Sequence, residues 1–344
     1  FDAAREKGYT GKGVTIALID GPVDTSAPEL AGANIVDKSR CTIEDYAKGI
    51  RHGTDMATIL VSPYTGVAPD ATLYSYQLSN NSSISEGTCK NDGKRLNSFD
   101  TLINQAVEDG AQIISISQGT GYLGTAAKWA IANAIAHGVI IVASAGNASD
   151  NENTTHLGRY SGVVGVSAIN TDGTFASYSS WGNGVVTAAV GGPFNTLDEN
   201  TNQPTTVQGT SMSTALVAGM LALARQKWPD ATTNQILQSL VHTGLNPNHE
   251  WNQYTGYGAI DGGGLVIDDP SQYPDENPIL NKPGGSEPTA DEVADYTDGL
   301  VSPTSTVDLP DSYVYRGADD QVVLYQSDLK NEIHLGTSPR YHRK

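Results

Sequence analysis

Apolar runs typical of buried strands alternate with helical patterns over residues 1–265. The continuous, β-branched run Val14–Ile19 indicates a strand that is buried on both faces of a sheet. Five further runs of this kind are residues 71–78, Ile113–Ser117, Val139–Ser144, Val163–Ile169 and Val185–Val190. Helical patterns cover residues 1–13, 51–60, 100–110, 125–137, 211–227 and 233–242. This alternation predicts an α/β fold with a mostly parallel central sheet and helices on both faces.

The composition changes after the glycine run at residues 262–264. Residues 268–310 are rich in Pro, Ser, Thr, Asp and Gly, which predicts an acidic linker. Two strand-like runs further on predict a small β-hairpin within residues 311–336. We therefore expect a main domain at residues 1–267 and an acidic C-terminal extension at residues 268–344.

The charge balance narrows the choice of partners. The chain has 38 acidic and 20 basic residues and a formal net charge of -18, which argues against nucleic acid or an anionic membrane as a partner. No apolar run approaches the roughly 18 residues that a membrane-spanning helix needs. We expect membrane attachment only through an anchor that this chain does not contain. The oligomeric state is not predicted by any pattern in the sequence.

The two cysteines, Cys41 and Cys89, are too few and too far apart for a zinc site. Either one disulfide bond or two buried thiols fits this count. A bridge would close a long loop and would stabilise the fold by roughly 4 kcal/mol on chain entropy alone.

Four polar residues stand where predicted strands end or predicted helices begin. Asp20 ends the first strand, Asn147 follows the fourth, His52 begins a helical pattern, and Ser211 precedes an apolar helix. Each has an ordinary structural explanation, such as a helix N-cap for Ser211 or a turn aspartate for Asp20. Together they supply the nucleophile, base, orienting carboxylate and oxyanion donor that acyl transfer requires.

The motifs around these residues resemble those of the subtilisin-like serine proteases of the S8 family, in the family's order. The matching segments are Val14–Asp20, His52-Gly53-Thr54, Ala145-Gly146-Asn147 and Gly209-Thr210-Ser211-Met212. The resemblance covers residues 1 to about 265 and implies a subtilisin-like three-layer fold and serine endopeptidase activity. It implies that Ser211 is the nucleophile, His52 the general base and Asp20 its orienting partner. Asn147 would hold the oxyanion together with the Ser211 backbone N–H.

The chain departs from the family pattern at several positions. Gly21 and Pro22 follow the aspartate, Asp55 replaces a second histidine, and Ala215-Leu216 replaces Pro-His after the serine. None of these changes removes a catalytic group, so they indicate a divergent branch. The loop before Gly66 lacks the asparagine-rich stretch that binds calcium tightly in digestive members. We therefore expect no cofactor and at most a weak calcium site.

A second set of features is similar to the mycosin-type maturation proteases of actinobacteria. These features are the two cysteines, the polar insertion at residues 79–98 and the Pro-rich tail. The likeness implies an extracytoplasmic enzyme, secreted or held at the surface of a bacterium. It also favours a processing protease of narrow specificity. Two alternatives remain: a peptide transamidase or macrocyclase on the same scaffold, and a non-catalytic peptide-binding pseudoprotease.

The resemblance also implies a polypeptide substrate and a binding site for its backbone. The edge strand that pairs with substrate backbone is predicted at Ser115, Ile116, Ser117, Gln118 and Gly119, with residues 76–80 as the opposite wall.

The S1 pocket, which takes the side chain on the acyl side of the scissile bond (P1), is predicted between two glycine-containing segments. These are residues 117–119 and Ala145-Gly146, with the loop 150–160 completing the pocket. Asp150 and Glu152 would favour a basic P1 residue if they faced this pocket, and would have no such effect if they faced water.

Overall fold

A parallel sheet forms the centre of the computed structural model. The structure describes residues 2–43, 47–78, 89–91, 94–119, 124–151, 156–247, 250–282, 287–298, 304–306 and 325–326. The strands in these ranges are β1 Thr15–Asp20, β2 Ile35–Asp37, β3 Thr72–Gln77, β4 Lys90–Asn91, β5 Lys94–Arg95, β6 Ile113–Ile116, β7 Ile140–Ser144, β8 Val163–Ile169, β9 Val185–Val190, β10 Phe194–Leu197, β11 Pro204–Val207, β12 Thr304–Thr306 and β13 Tyr325–Gln326. The helices are α1 Asp2–Glu6, α2 Ala47–Val61, α3 Phe99–Glu108, α4 Gly124–Ala136, α5 Thr210–Lys227, α6 Thr233–Thr243, α7 Gly262–Ile267 and α8 Ala290–Thr297.

Seven strands pair in the order β2-β3-β1-β6-β7-β8-β9, and every neighbouring pair is parallel. Six of them are the strands that the sequence predicts. The exception is β2, a three-residue edge strand without a buried position, whose Val36 is 40% exposed. A strand of this kind has no apolar run to mark it.

Alternate residues of each strand pack into two separate apolar clusters, one on each face of the sheet. On β1, Ile16 and Leu18 pack toward α2 and α5, whereas Ala17 and Ile19 pack toward α3 and α4. The sheet is therefore the middle layer of three, which confirms the predicted subtilisin-like architecture. None of the described helices has both the length and the apolar character needed to cross a membrane.

Two helix starts differ from the sequence prediction. Helix α2 begins at Ala47, so the prediction that His52 opens the helix is wrong; the first turn is largely exposed and has no apolar stripe to reveal it. Helix α5 begins at Thr210 with the extended residue Gly209 as its N-cap. Ser211 is the second helical residue, and its interpretation as an N-cap is therefore wrong.

Cys41 and Cys89 form a disulfide bond, with their Cα atoms 4.9 Å apart. The bridge packs with Ile43 and Leu96 in a small apolar cluster away from the main core. This settles the open choice between a bridge and two buried thiols.

The described part of residues 268–298 packs against the main domain, so its interpretation as an acidic linker is wrong. Ile279 is 2% exposed within the core cluster, and its carbonyl oxygen accepts a hydrogen bond from the Gly162 N–H at 2.9 Å. Tyr296 on α8 is 4% exposed and packs against Ala132 of α4. A few apolar anchors in a polar sequence are enough to hold such a segment, and the average composition conceals them.

The division at residue 267 and the hairpin at 311–336 stay predictions. The predicted hairpin falls outside the described residues except for Tyr325-Gln326, which pairs antiparallel with Thr304–Thr306.

Lys282 joins the C-terminal segment to two loops of the main domain. Its side chain is buried, and its ammonium group donates hydrogen bonds to the carbonyl oxygens of Gly158 and Gly184. Burial lowers the pKa of Lys282 to about 7. The protonation of this residue is therefore coupled to the docking of the segment.

We expect the free energy of unfolding to rise with pH above about 7 because of Lys282. The unfolded chain keeps the lysine proton up to about pH 10, whereas the folded chain releases it earlier. One group contributes at most ~1.4 kcal/mol per pH unit, and the two carbonyl acceptors, which favour the ammonium form, reduce this slope. Urea unfolding at pH 7, 8 and 9 should show that the free energy of unfolding rises more steeply with pH in the protein that retains Lys282 than in Lys282→Met. Both proteins should carry Ser211→Ala to prevent self-digestion, and equal slopes would contradict the coupling.

Candidate active site

Asp20, which is buried, and His52, which is partly exposed, form an acid–imidazole pair. Asp20 ends β1 with no exposed surface, and its Oδ1 accepts a hydrogen bond from His52 Nδ1 at 2.8 Å. His52 lies in the second turn of α2, which approaches the end of β1 closely. A Cβ atom on Gly53 would collide with the carbonyl oxygen of Gly21. Glycine after the histidine is therefore required for this approach.

The surroundings of His52 favour its protonated form. Burial of the imidazole lowers its pKa. The charge of Asp20 and the hydrogen bond to Asp20 raise the pKa, and this rise outweighs the effect of burial. The net result is a pKa above the ordinary histidine value. A base with this property accepts a proton readily and stabilises the positive charge that results.

Gln118 contacts the same carboxylate oxygen. Its Nε2 donates to Asp20 Oδ1 at 2.7 Å, and the Gly21 N–H donates to that oxygen at 2.7 Å. With His52, three donors therefore converge on Asp20 Oδ1. The sequence predicts Gln118 only as part of a substrate-pairing segment. Gln118 and Asp20 both lie at or just beyond the carboxyl end of a predicted strand, but the sequence does not show that β6 and β1 are neighbours.

Ser211 is held at the start of α5 by reciprocal bonds to the end of β6. Its hydroxyl donates to the Ser117 carbonyl oxygen at 3.0 Å, and the Ser117 hydroxyl donates to the Ser211 carbonyl oxygen at 3.1 Å. Within the described residues, Ser211 Oγ forms no hydrogen bond with His52. A rotation about the Cα–Cβ bond of Ser211 would redirect its hydroxyl, and catalytic hydrogen bonds often form only when substrate is bound.

The amide of Asn147 has a fixed orientation. Its Oδ1 accepts hydrogen bonds from the Thr210 N–H at 2.9 Å and from Thr210 Oγ1 at 3.1 Å. Because both partners are donors to the oxygen, the NH₂ group points the other way. Asn147 is exposed and adjoins the first turn of α5, where backbone N–H groups lack helical partners. The Asn147 NH₂ group and these backbone N–H groups can together stabilise a developing oxyanion.

Asp55 stands where the resemblance expects a second histidine. Its Oδ1 accepts hydrogen bonds from Arg51 Nε at 2.8 Å and from Thr196 Oγ1 at 2.6 Å. Burial raises the pKa of Asp55, although Thr196 and Arg51 both oppose the rise. Thr196 belongs to β10, so Asp55 ties the helix of His52 to the β10–β11 hairpin.

The predicted substrate-pairing segment is shorter in the structure. Ser115 and Ile116 lie inside β6, which is paired on one side with β1 and on the other with β7. Their prediction as substrate-binding residues is therefore wrong, since no edge is left for a peptide. Ser117, Gln118 and Gly119 lie beyond the end of the strand and stay candidates.

The other predicted cleft residues have different outcomes. Tyr76, part of the predicted opposite wall, is buried and donates its hydroxyl to Asp109 at 2.8 Å on the α3 side. Residues 79–80 and Glu152 lie outside the described residues. Asp150 is exposed and accepts a hydrogen bond from Ser180 at 3.3 Å. The structure adds His156, which no sequence motif marks and whose ring lies where side chains on Gly119 and Gly146 would point.

No cluster of three or more His, Cys, Asp or Glu side chains suited to a metal ion occurs in the described part of the chain. The expectation of at most a weak calcium site stays a prediction.

Residues 11–258 match the Subtilase family. The chain belongs to that family. Subtilisin E of Bacillus subtilis (strain 168) is 30% identical to this subtilase over 270 residues, which cover 75% of this chain and 67% of that protein. Subtilisin DY of Bacillus licheniformis is 30% identical over 271 residues, which cover 75% of this chain and 93% of that protein. This subtilase is therefore a subtilisin-like serine peptidase, a hydrolase with a polypeptide substrate.

Solved structures share the fold at lower sequence identity. MycP1 from Mycobacterium smegmatis matches this subtilase with a TM-score of 0.63 and 24% identity, over 83% of this chain and 88% of that one. The prenylagaramide maturation protease PagA matches with a TM-score of 0.61 and 23% identity, over 77% of this chain and 98% of that one. The predicted likeness to mycosin-type proteases therefore extends to the three-dimensional fold.

Proposed function

We propose that this subtilase is an endopeptidase in which Ser211, His52 and Asp20 form the catalytic triad. The observation that carries the proposal is the 2.8 Å hydrogen bond between buried Asp20 and His52 Nδ1. This bond keeps the proton of neutral His52 on Nδ1 and leaves Nε2 able to accept the proton of Ser211. The three residues come from β1, α2 and α5, so the rigid layers of the fold position them.

The reaction follows from these positions. Ser211 Oγ attacks the carbonyl carbon of the scissile bond while His52 Nε2 takes the hydroxyl proton. The oxyanion is stabilised by the Asn147 NH₂ group and the Ser211 backbone N–H, and the positive end of the α5 dipole adds to this. His52 then gives its proton to the leaving amine as the C–N bond breaks. Water then attacks the acyl-enzyme carbonyl carbon while His52 takes a water proton, and His52 returns this proton to Ser211 Oγ as the ester C–O bond breaks.

We further propose a processing role outside the cytoplasm, with narrow specificity. The Cys41–Cys89 disulfide supports such a location, because bridges of this kind persist in oxidising compartments. The name of PagA describes a maturation protease, which supports a processing role on this fold. Digestion of many unrelated denatured proteins to small peptides would contradict narrow specificity.

A covalent probe tests the assignment directly. A fluorophosphonate should label the native protein at Ser211, as shown by peptide mass spectrometry, and should not label Ser211→Ala. Ser213→Ala is the matched control, since the buried Ser213 hydroxyl binds the Ala189 carbonyl and should not react. Equal labelling of wild type and Ser211→Ala, or of neither, would refute the proposal. The masses of peptide products distinguish hydrolysis, which adds water, from cyclisation, which does not.

Replacing Asn147 with alanine should lower kcat by about 100- to 1,000-fold with little change in KM. Loss of one oxyanion donor in a subtilisin has a cost of this size. The Thr210 contacts hold the amide in place before substrate binds, so the loss should fall on the transition state. Asn170→Ala, in an exposed turn, is the control and should leave kcat unchanged. A loss below tenfold in Asn147→Ala would rule out this role.

Gln118→Leu should move the acid limb of the kcat/KM profile up by about half a pH unit. The Gln118 amide donates to Asp20 Oδ1 and so weakens the negative charge that raises the pKa of His52. Without this donor, His52 should hold its proton to higher pH. The profile should be measured from pH 5 to 9 beside Gln272→Leu, whose side chain binds Asp268 in the C-terminal segment. An unchanged or lowered midpoint would exclude this influence.

A further inference from the structure

The imidazole of His156 lies between the two glycines predicted to border the S1 pocket. A Cβ atom on Gly146 would lie 2.7 Å from His156 Nε2 and 2.9 Å from Cε1. A Cβ atom on Gly119 would lie 3.5 Å from the same Cε1. The Nε2–Cε1 edge of the ring therefore fills the space that a side chain on Gly146 would need and borders the corresponding space at Gly119, so the gap between them holds a side chain of the protein itself.

The gap lies next to residues with proposed roles at the active site. Gly146 directly precedes Asn147, and Gly119 directly follows Gln118. A peptide whose carbonyl oxygen points at the Asn147 amide must place its P1 side chain beside Gly146. The ring of His156 occupies the space that this side chain would enter.

The backbone that carries His156 is anchored on its C-terminal side. His156 precedes the single 3₁₀ turn Leu157–Arg159, in which Leu157 is 1% exposed. The carbonyl oxygen of Gly158 accepts a hydrogen bond from the buried Lys282. The imidazole is therefore held in the gap by a fixed piece of backbone. Gly146 itself has φ +103°, a conformation that disfavours any side chain, so this residue leaves the gap open to the imidazole.

We propose that His156 closes the S1 pocket and restricts the P1 residue to a small side chain, from glycine to serine in size. This rests on the proposed catalytic role of Ser211. A phenyl or long aliphatic P1 group would need the volume that the imidazole fills, and two groups cannot occupy the same volume. The polypeptides that this subtilase cleaves should therefore carry small residues on the acyl side of the cut. Asp150 is exposed and accepts a hydrogen bond from Ser180, so it has no part in this selection.

A peptide library and a matched series test the proposal. Mass spectrometry of a digested peptide library should show cuts after Gly, Ala or Ser. The best sequence is then resynthesised with Ala, Ser, Leu or Phe at P1. We expect kcat/KM for Ala to exceed that for Phe by about 100-fold or more. In His156→Ala, kcat/KM for the Phe peptide should rise about 10- to 100-fold, while that for the Ala peptide changes less than about threefold.

Two further variants keep the outcome unambiguous. His156→Phe retains a ring in the gap, so it should keep the preference for small residues even if His156→Ala melts early. His242→Ala is the matched control, because His242 stacks on Tyr273 in another part of the fold and should not alter the ratio. Cleavage after Phe as readily as after Ala, abolished by Ser211→Ala, would overturn the S1 proposal alone and would mean that the imidazole swings aside. Cleavage that persists in Ser211→Ala would overturn the proposed function itself.

Discussion

Replacing His52 with alanine should lower kcat by about a million-fold, a loss of the size found when the corresponding residue of a subtilisin is removed. Without the imidazole, no group accepts the Ser211 proton during attack, and none donates a proton to the leaving amine. KM should change little, because His52 binds no part of the substrate before the reaction begins. Steady-state kinetics on the best peptide from the library measures both kcat and KM.

The double variant His52→Ala/Ser211→Ala should be hardly slower than either single variant. The two residues act in one proton transfer, so removing the second costs little once the first is gone. What remains should come from Asn147 and from substrate binding. His137→Ala, an exposed histidine at the end of α4, serves as the control and should match wild type. Independent, multiplying losses, or retention of about 1% activity in His52→Ala, would mean that another group takes the proton.

The sequence predicts the scaffold of this site well for a simple physical reason. Strands buried on both faces, such as Val163–Ile169, must be apolar along their whole length, so they are visible as runs. A parallel sheet brings the ends of such strands to one edge, where Asp20 ends β1 and Asn147 follows β7. Order along the chain and position in the sheet together make the candidate site predictable before any contact is known.

The parts that were missed depend on contacts between distant side chains. Gln118 on Asp20 and His156 against Gly146 are pairs that no local pattern encodes, since each depends on the path of a loop. The composition of the docked segment near Lys282 predicts a linker, because its few apolar anchors lie among many acidic residues. Asp55 was identifiable as a departure from the family, but its partner Thr196 lies 141 residues further along the chain.

Replacing Asp20 with asparagine should lower kcat by ~10,000-fold. In a triad whose aspartate becomes asparagine, part of the loss usually comes from the wrong imidazole tautomer. Here three donors converge on Asp20 Oδ1, so the oxygen of an introduced amide should take that position and still accept from His52 Nδ1. The tautomer should therefore survive, and the loss should reflect the missing negative charge beside the imidazolium.

This distinction has a measurable consequence for the pH dependence. In wild type, burial lowers the pKa of His52, but Asp20 raises it more, so the acid limb of kcat/KM should lie above pH 6.5, the ordinary histidine pKa. In Asp20→Asn the negative charge beside the ring is lost while burial still lowers the pKa of His52, so the acid limb should move to lower pH than in wild type. Nitrogen NMR of the imidazole should still report a proton on Nδ1. A loss below about tenfold, or an acid limb that moves to higher pH, would show that Asp20 does not stabilise the charged His52.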